Sequence, residues 1–211
     1  TFAKAQDEED ILQSFREQFH FPLHSDGTQK LYFCGNSLGL QPKQTSAYVQ
    51  QELDDWAKYG VDGHTDAKHP WLTAHEDLAQ PMAKIVGAKP KEVVIMNTLT
   101  VNLHLMMVSF YKPTKKKFKI LIESDAFPSD QYAVESQLKF HNIDPKEGLV
   151  LWQPRQGEHL CRHEDFENLL DTHKGEIALV MIGSTNYYSG QAFDLQRIVK
   201  RCQADNITVG F

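Results

Sequence analysis

Three short polar segments each follow an apolar run in this sequence, and their residue types suit the binding of a charged ligand. The segments are 97–102 (NTLTVN), 127–130 (FPSD) and 183–190 (GSTNYYSG). If the apolar runs are strands of one open parallel sheet, ligands bind beyond the carboxyl ends of those strands. The sequence therefore predicts a ligand site that is built from these three segments.

Segment 97–102 opens a predicted helix over 99–110. The first turn of a helix has unpaired N–H groups and the positive end of the helix dipole, so it attracts anions. Thr98 and Thr100 add hydroxyl donors there, which favours a phosphate monoester. The segment has neither the Gly-Lys-Thr of a Walker loop nor a GxGxxG pattern. Ordinary capping of the helix by a threonine explains the same residues.

An aromatic ring, a proline and an acid stand together in segment 127–130. Phe127 at the rim of the site would stack on a planar heterocycle, and a phenylalanine packed in the core is the alternative explanation for this residue taken alone. Asp130 opens the next predicted helix, where an acid also serves as a cap. A phosphate cradle and an aromatic plate together predict a phosphorylated planar cofactor such as pyridoxal phosphate.

From about residue 90 onward, apolar strands alternate with amphipathic helices, which is typical of βαβ units. Continuous apolar strands of this kind are buried on both faces by helices. The sequence therefore predicts an α/β fold with a mainly parallel sheet. The predicted strands are 93–96, 118–123, 149–152, 177–182 and one from Ile207, and the predicted helices are 99–110, 130–140, 164–173 and one that Asp194 caps.

The first 90 residues have a helical pattern instead. Apolar residues recur at helical spacing over 7–20, from Pro42 onward and over 74–86, and Gly87 ends the third of these helices. The second helix is expected to bury a stripe made of Val49, Leu53, Trp56 and Ala57.

Composition limits the classes of partner. The chain has 211 residues, of which 41% are hydrophobic, and a formal net charge of −6, so nucleic acid and anionic membrane surfaces are not the expected partners. No apolar run is long enough to span a bilayer. The three cysteines, Cys34, Cys161 and Cys202, are far apart and odd in number, which predicts reduced thiols in a cytoplasmic protein.

The chain divides by pattern into an N-terminal segment over 1–72, with helices and loops, and the first part of a large α/β domain over 73–211. It does not begin with Met, and residues 206–211 have the pattern of a strand with no turn after it. We therefore expect it to be about half of a longer protein that is cut within a strand. If 211 residues were the whole polypeptide, the exposed edge of the sheet would predict an inactive, aggregation-prone fragment.

Six motifs follow one another along the chain. They are YFCGNSLGLQP at 32–42, LDDW at 53–56, GH at 63–64 with PW at 70–71, MNTLTVNLH at 96–104, AFPSD at 126–130 and NYYSGQ at 186–191. Together they resemble the kynureninase family of pyridoxal-phosphate enzymes, which has the fold type I architecture of the aspartate-aminotransferase superfamily. The resemblance extends from about Phe15 to Phe211 and corresponds to the N-terminal half of the family.

The resemblance implies roles on the cofactor side. Leu99 and Thr100 would bind the phosphate, Phe127 would stack on the pyridine ring, and Asp130 would lie in the ring pocket. The further cofactor contacts that it implies are Pro128, Ser129, Gly183 and Ser184.

Some members of the family carry a hydroxyl residue where this chain has Gly183, so either Ser184 or Thr185 supplies the hydroxyl after a small shift, or a backbone group serves instead. Ser37 and His64 would lie on the substrate side, near the aromatic ring of the substrate. A surface loop histidine is the alternative for His64.

The resemblance also implies an activity, which is hydrolytic cleavage of the Cβ–Cγ bond of L-kynurenine or its 3-hydroxy form by a homodimer, in tryptophan breakdown or NAD supply. No lysine here matches the family's Schiff-base lysine, which we expect beyond Phe211, so no catalytic residue is assigned within the chain. Two other hypotheses stay open. One is another fold type I enzyme, such as a cysteine desulfurase or an aminotransferase, and the other is a non-catalytic binding protein of this fold.

Overall fold

A computed structural model describes residues 2–211 and divides the chain into two compact units. The first unit extends to Ile95, and the second runs from Met96 to Phe211. The division by pattern at residues 72 and 73 stays a prediction. Each unit is described by itself.

The first unit is helical. Its α-helices are α1 (Phe2–Glu9), α2 (Thr45–Tyr59), α3 (Gly63–Asp66) and α4 (Ala74–Val86), and its 3-10 turns are Gln13–Gln18, Gly60–Asp62 and Pro90–Glu92. Helix α4 ends as predicted at Gly87, whose φ of 69° is left-handed and whose N–H bonds the carbonyl of Ala83. The helix predicted over 7–20 is instead broken, because the Asp10 carboxylate accepts the N–H of Leu12 at 2.8 Å and turns the chain.

The prediction of a buried apolar stripe on α2 is wrong in this unit. Val49 and Leu53 are exposed, and Trp56 is 65% exposed. The buried residue of the helix is Asp55, whose carboxylate accepts bonds from Gln51 at 3.1 Å and from the N–H of Lys68 at 3.1 Å. The helix therefore contacts residues 63–71 through its acidic side.

The second unit contains a parallel sheet, as predicted. Its strands are β1 (Lys119–Glu123), β2 (Leu149–Trp152), β3 (Ile177–Met181) and β4 (Thr208–Gly210), in the order β2-β1-β3-β4. All three neighbouring pairs are parallel. The carboxyl ends of β1, β2 and β3 therefore meet at one edge of the sheet.

Helices cover both faces of this sheet. They are α5 (Leu99–Phe110), α6 (Pro128–Phe140), α7 (Pro145–Gly148), α8 (His163–Thr172) and α9 (Leu195–Ala204). Successive strand residues point to opposite faces, and so Leu121 packs in one core cluster with residues of α8 and α9, such as Phe166 and Ile198. Ile120 and Ile122 pack in the other cluster with Met107 of α5 and residues of α6.

The strand predicted over 93–96 is wrong. Val93 has extended backbone angles, but the segment joins a 3-10 turn to α5 without entering the sheet. Val94 and Met96 are exposed. An apolar extended segment becomes a strand only beside a partner that takes its hydrogen bonds.

None of the helices in residues 2–211 has the length and apolar character that crossing a membrane requires.

The three cysteines differ in accessibility, which predicts their order of reaction. Cys34 is exposed, whereas Cys161 and Cys202 are buried, and burial raises the pKa of Cys161 to about 11 and that of Cys202 to about 12. The thiolate is the reactive form. We expect an aromatic disulfide reagent to label Cys34 rapidly in the native protein, and the other two only upon unfolding.

The Cys34→Ser variant is the control for this experiment, because it should remove one fast-reacting thiol without changing the slow ones. Labelling of Cys202 at the rate of Cys34 in the native protein would contradict the packing of α9 on the sheet.

Candidate functional site

The site forms where β1 and β3 end. The loop after β1 carries Phe127 into α6, and the loop after β3 carries residues 183–190. The two loops touch, because the N–H of Gly183 donates to Glu123 Oε1 at 3.0 Å and Asn186 Nδ2 donates to the carbonyl of Asp125 at 3.2 Å. The structure thus brings together two of the three segments that the sequence singled out.

Phe127 is the aromatic residue of the site. It is the N-cap of α6, and Pro128 fills the first helical position, where a proline is tolerated because its missing N–H has no helical partner. The Phe127 side chain is 52% exposed, so it is not a core phenylalanine. Its ring lies edge-on to Tyr187, with centroids 5.1 Å apart and an interplanar angle of 71°. The ring is therefore held on one side and accessible to a ligand.

Asp130 lies in the first turn of α6, where a carboxylate is favoured by the helix dipole. It is partly buried. Its backbone N–H bonds the carbonyl of Phe127 at 2.8 Å, and the hydroxyl of Ser129 donates to its Oδ1 at 3.3 Å. These contacts hold Asp130 in the first turn of α6, three residues after Phe127. Its assignment to a ring pocket stays a prediction.

The start of α5 is open to a ligand. Thr98 is the N-cap, but its side chain makes no capping bond, and Leu99 and Thr100 are exposed. The preceding turn is braced by Asn102, whose side chain accepts the N–H of Asn97 at 3.1 Å and donates to its carbonyl at 3.0 Å. A braced turn with uncapped N–H groups and two hydroxyls suits an anion.

Helix α5 belongs to the same packed body as the aromatic residue. His104 of α5 and Gln137 of α6 are joined by a 3.0 Å hydrogen bond, and Met107 packs with Ile120 of β1. His104 therefore links the two helices.

Gly183 and Ser184 differ in their surroundings. A Cβ at Gly183 would lie 3.2 Å from Glu123 Oε1 and 3.2 Å from the carbonyl of Thr185, so this position is cramped for any side chain. Ser184 is exposed, and its carbonyl accepts the N–H of Phe193 at 3.1 Å. The role of the Ser184 hydroxyl stays a prediction.

Glu123 is a site residue that the sequence reasoning missed. It is the last residue of β1 and is 5% exposed. Among the described residues, its Oε2 has no hydrogen-bond partner. Burial raises the pKa of its carboxyl above the ordinary value of 4.5, the negative charge of Asp130 adds to this rise, and the bond from Gly183 opposes it. The signal in the sequence was an acid at the end of an otherwise apolar strand.

In the first unit, His64 is held by a local cluster. Its Nδ1 lies 2.8 Å from the carbonyl of Val61, which makes Nδ1 the protonated nitrogen of the neutral ring and leaves Nε2 as an acceptor. Its ring meets Trp71 edge-on at 5.4 Å, and Trp71 Nε1 donates to Glu52 at 2.9 Å. Gly63 lies under the indole, where a Cβ would be 2.5 Å from a ring atom. These contacts therefore fix the orientation of the exposed imidazole.

Ser37 lies in a tight turn of the first unit. Its N–H and that of Leu38 both bond the carbonyl of Cys34, at 2.9 and 3.0 Å, and the Tyr32 hydroxyl closes the turn onto the carbonyl of Leu38 at 2.6 Å. Ser37 itself is exposed. Its substrate-side role, like that of His64, stays a prediction.

The donor set of the second unit fits a phosphorylated aromatic cofactor. It offers uncapped helix N–H groups, hydroxyls and a half-exposed phenylalanine, which are contacts for phosphate and for a planar ring. Over residues 2–211, no group of three or more His, Cys, Asp or Glu side chains could hold a metal ion.

Curated proteins are similar to the chain over its whole length. It is 54% identical over 211 residues to the kynureninase of Myxococcus xanthus and 50% identical over 210 residues to that of Koribacter versatilis, and each match covers 100% of this chain and 50% of the relative. The chain is homologous to kynureninases. Human kynureninase is 44% identical over 216 residues, which covers 97% of this chain and 46% of that protein. This kynureninase homologue thus spans about half the length of the curated relatives it matches. No family model matches it.

Solved structures share the fold of this kynureninase homologue. A variant of the cystine C-S lyase C-DES, with glycine covalently linked to its PLP cofactor, has a TM-score of 0.63 at 14% identity over 81% of this chain and 42% of that chain. A cysteine desulfurase from Thermococcus onnurineus has a TM-score of 0.56 at 16% identity over 85% of this chain and 42% of that chain. At such identities the likeness is one of fold, and it confirms the predicted fold type I architecture.

The buried carboxyl of Glu123 predicts a pH dependence of stability. The pKa of Glu123 is raised above 4.5 in the folded state. Between the ordinary pKa and the folded pKa, the folded protein therefore keeps a proton that the unfolded chain has lost. The stability that the protonated Glu123 contributes is fully present below pH 4.5 and decreases as the pH rises through the folded pKa. The Glu123→Gln variant keeps an acceptor for Gly183 without a charge, so it should gain stability over the native protein as the pH rises.

Each unit by which folding raises the pKa corresponds to about 1.4 kcal/mol. The measurement is the free energy of unfolding in urea at several values between about pH 5 and about pH 8. Glu147→Gln, on the exposed surface of α7, is the control. A constant difference between Glu123→Gln and the native protein across this range would show that Glu123 ionises normally.

Proposed function

We propose that the full-length protein that carries this chain is a pyridoxal-phosphate-dependent hydrolase of L-kynurenine, of its 3-hydroxy form, or of both. The products are anthranilate, or 3-hydroxyanthranilate, and L-alanine. The observation that carries this proposal is the 54% identity to a kynureninase over all 211 residues. The arrangement of helix α5 and Phe127 supports it, because it offers the contacts that a phosphate and a planar ring require.

The cofactor would be held mainly by the second unit. The N–H groups at Leu99 and Thr100, with the Thr100 hydroxyl, would bind the phosphate, and Phe127 would stack on the pyridine ring. Asp130 would lie in the ring pocket. The remaining contacts proposed are those of Pro128, Ser129, Gly183 and Ser184. When bound, pyridoxal phosphate supplies an electron sink for the bond that is broken.

The work of this chain is binding and orientation. The overall reaction adds one water across the Cβ–Cγ bond, so the ring product and L-alanine together contain every atom of the substrate and of the water. Fixing the bound groups in a reactive arrangement lowers the entropic barrier to such a step. The braced turn at Asn97–Asn102 and the edge contact of Tyr187 on Phe127 are rigid local features that suit this task.

On the substrate side we propose Ser37 and His64. The His64 imidazole is exposed and fixed by Val61 and Trp71, and its Nε2 is left as an acceptor for a polar group of the substrate. The turn that carries Ser37 is closed by three hydrogen bonds. A rigid donor and a rigid acceptor are suited to recognise a substituted aromatic ring.

A homodimer is the proposed assembly, as the resemblance to the kynureninase family implies. The first unit exposes apolar side chains at Leu31, Phe33 and Leu38, which either the rest of the full-length protein or a second subunit would cover. The proposed compartment is the cytoplasm, which suits three unpaired cysteines, and the proposed role is tryptophan breakdown that also feeds NAD synthesis. The cysteine desulfurase, aminotransferase and non-catalytic hypotheses have only the shared fold in their favour.

The reaction is tested with the natural full-length polypeptide, L-kynurenine and pyridoxal phosphate, by following the fluorescence of anthranilate. We expect anthranilate and L-alanine in equal amounts and dependence on added cofactor after its removal. A yellow, cofactor-loaded protein that forms no anthranilate would contradict the substrate and favour a sister enzyme. A protein that takes up no cofactor would contradict the cofactor as well.

The stacking role of Phe127 predicts the effect of removing its ring. An aromatic contact contributes about 0.5–1.5 kcal/mol, so Phe127→Ala should weaken pyridoxal-phosphate binding about twofold to twelvefold. The measurement is a titration of the cofactor-free protein. Phe140→Ala, which removes a 73% exposed ring at the other end of α6, should leave the affinity unchanged. Equal losses in the two variants would show that the Phe127 ring makes no stacking contact.

A further inference from the structure

The loops after β1 and β3 are joined by contacts that follow one another along both loops, and three of them matter most here. Glu123 Oε1 accepts the N–H of Gly183 at 3.0 Å. Asn186 Nδ2 donates to the carbonyl of Asp125 at 3.2 Å. The rings of Phe127 and Tyr187 then meet at 5.1 Å. We refer to residues 123–127 and 183–187 as the paired loops.

The first contact extends the strand pairing beyond the sheet. The ladder between β1 and β3 has Leu121 opposite Val180. Glu123 follows Leu121 by two residues and Gly183 follows Val180 by three, and these two residues are joined by the hydrogen bond. A Cβ at Gly183 would lie 3.2 Å from Glu123 Oε1, so a side chain there would require this contact to shift. The carboxyl oxygen thus takes the place of a backbone acceptor at the point where the two strands separate.

The second contact fixes the shape of the loop after β3. Asn186 is 6% exposed. Its Oδ1 accepts the N–H of Tyr188 at 3.0 Å and that of Ser189 at 2.9 Å, while its Nδ2 reaches the other loop. On that loop, Asp125 has a left-handed φ of 54°, so the backbone bends at this residue. One amide therefore sets both the turn that presents Tyr187 and its distance from the loop of Phe127.

Glu123 is not explained by stability alone. A carboxyl group that is 5% exposed, with an oxygen that lacks a partner among the described residues, is costly to bury. An apolar side chain of similar size would avoid that cost. A residue that costs stability and makes one directed bond is better explained by the position that the bond imposes.

We propose that Glu123 is a positioning residue for the Phe127 ring, acting through the Gly183 contact and the paired loops to hold Tyr187 against that ring. The inference rests on the proposed function, since it takes Phe127 as the plate for pyridoxal phosphate. Glu123 touches neither cofactor nor substrate in this account. It determines the angle at which the aromatic plate is presented, and Asn186 maintains the spacing of the two loops.

The test compares Glu123→Leu, which removes the acceptor, with Glu123→Gln, which keeps it. The control is Gln137→Leu, because Gln137 is also buried, at 7% exposure, and also has an oxygen without a partner in the described chain. Its side chain bonds His104 of α5 and neither of the paired loops. Each variant of the full-length protein is titrated with pyridoxal phosphate, and the visible circular dichroism per bound cofactor is recorded.

We expect Glu123→Leu to weaken cofactor binding by no more than Phe127→Ala does, because it displaces the ring without removing it, and to change the dichroism of the bound cofactor. Glu123→Gln should retain both native values, and Gln137→Leu should retain the dichroism even if it lowers the unfolding midpoint. Tyr187→Leu should reproduce the dichroism change, and adding Glu123→Leu to it should add little, because both act through one contact.

Three results would overturn the proposal. They are a native dichroism in Glu123→Leu, an equal change in Gln137→Leu, or a Glu123→Gln variant as impaired as Glu123→Leu. A native protein that binds pyridoxal phosphate but forms no anthranilate would overturn the proposed reaction and leave this test intact. A native protein that binds no pyridoxal phosphate would overturn both.

Discussion

The parallel pairing of β1 with β2 and β3 is the constraint on which the second unit depends. It brings the carboxyl ends of three strands to one edge of the sheet, and it is held by apolar clusters on both faces. Because β1 lies between β2 and β3, the loop that follows it has the loop of β3 beside it. The contacts of Glu123 with Gly183 and of Phe127 with Tyr187 follow from that adjacency.

The first turns of two helices, α5 and α6, carry the groups that we propose bind a ligand. Helix α5 begins without a side-chain cap and with exposed threonines, and α6 begins with a half-exposed phenylalanine, a proline and an acid. Helix starts carry unpaired donors by necessity, so leaving one uncapped suits an anionic ligand. The homology to kynureninases supports our proposal that both features bind a phosphorylated ring.

The sequence predicted the strands of the sheet well, because continuous apolar runs such as 177–182 have one stable location, between two layers of helices. It predicted less well where the outcome depends on a partner. The run 93–96 has strand composition but lies outside the sheet, and the stripe with Trp56 is exposed in its unit. Glu123 escaped notice because its importance lies in a contact 60 residues away along the chain, which no local pattern records.

The most direct test of this account is a crystal structure of the full-length protein with pyridoxal phosphate bound. We predict a cofactor ring stacked on the face of Phe127, with Tyr187 still at its edge, and phosphate oxygens within about 2.7–3.2 Å of the first N–H groups of α5. A cofactor bound elsewhere, or a Phe127 ring turned away from it, would contradict the account.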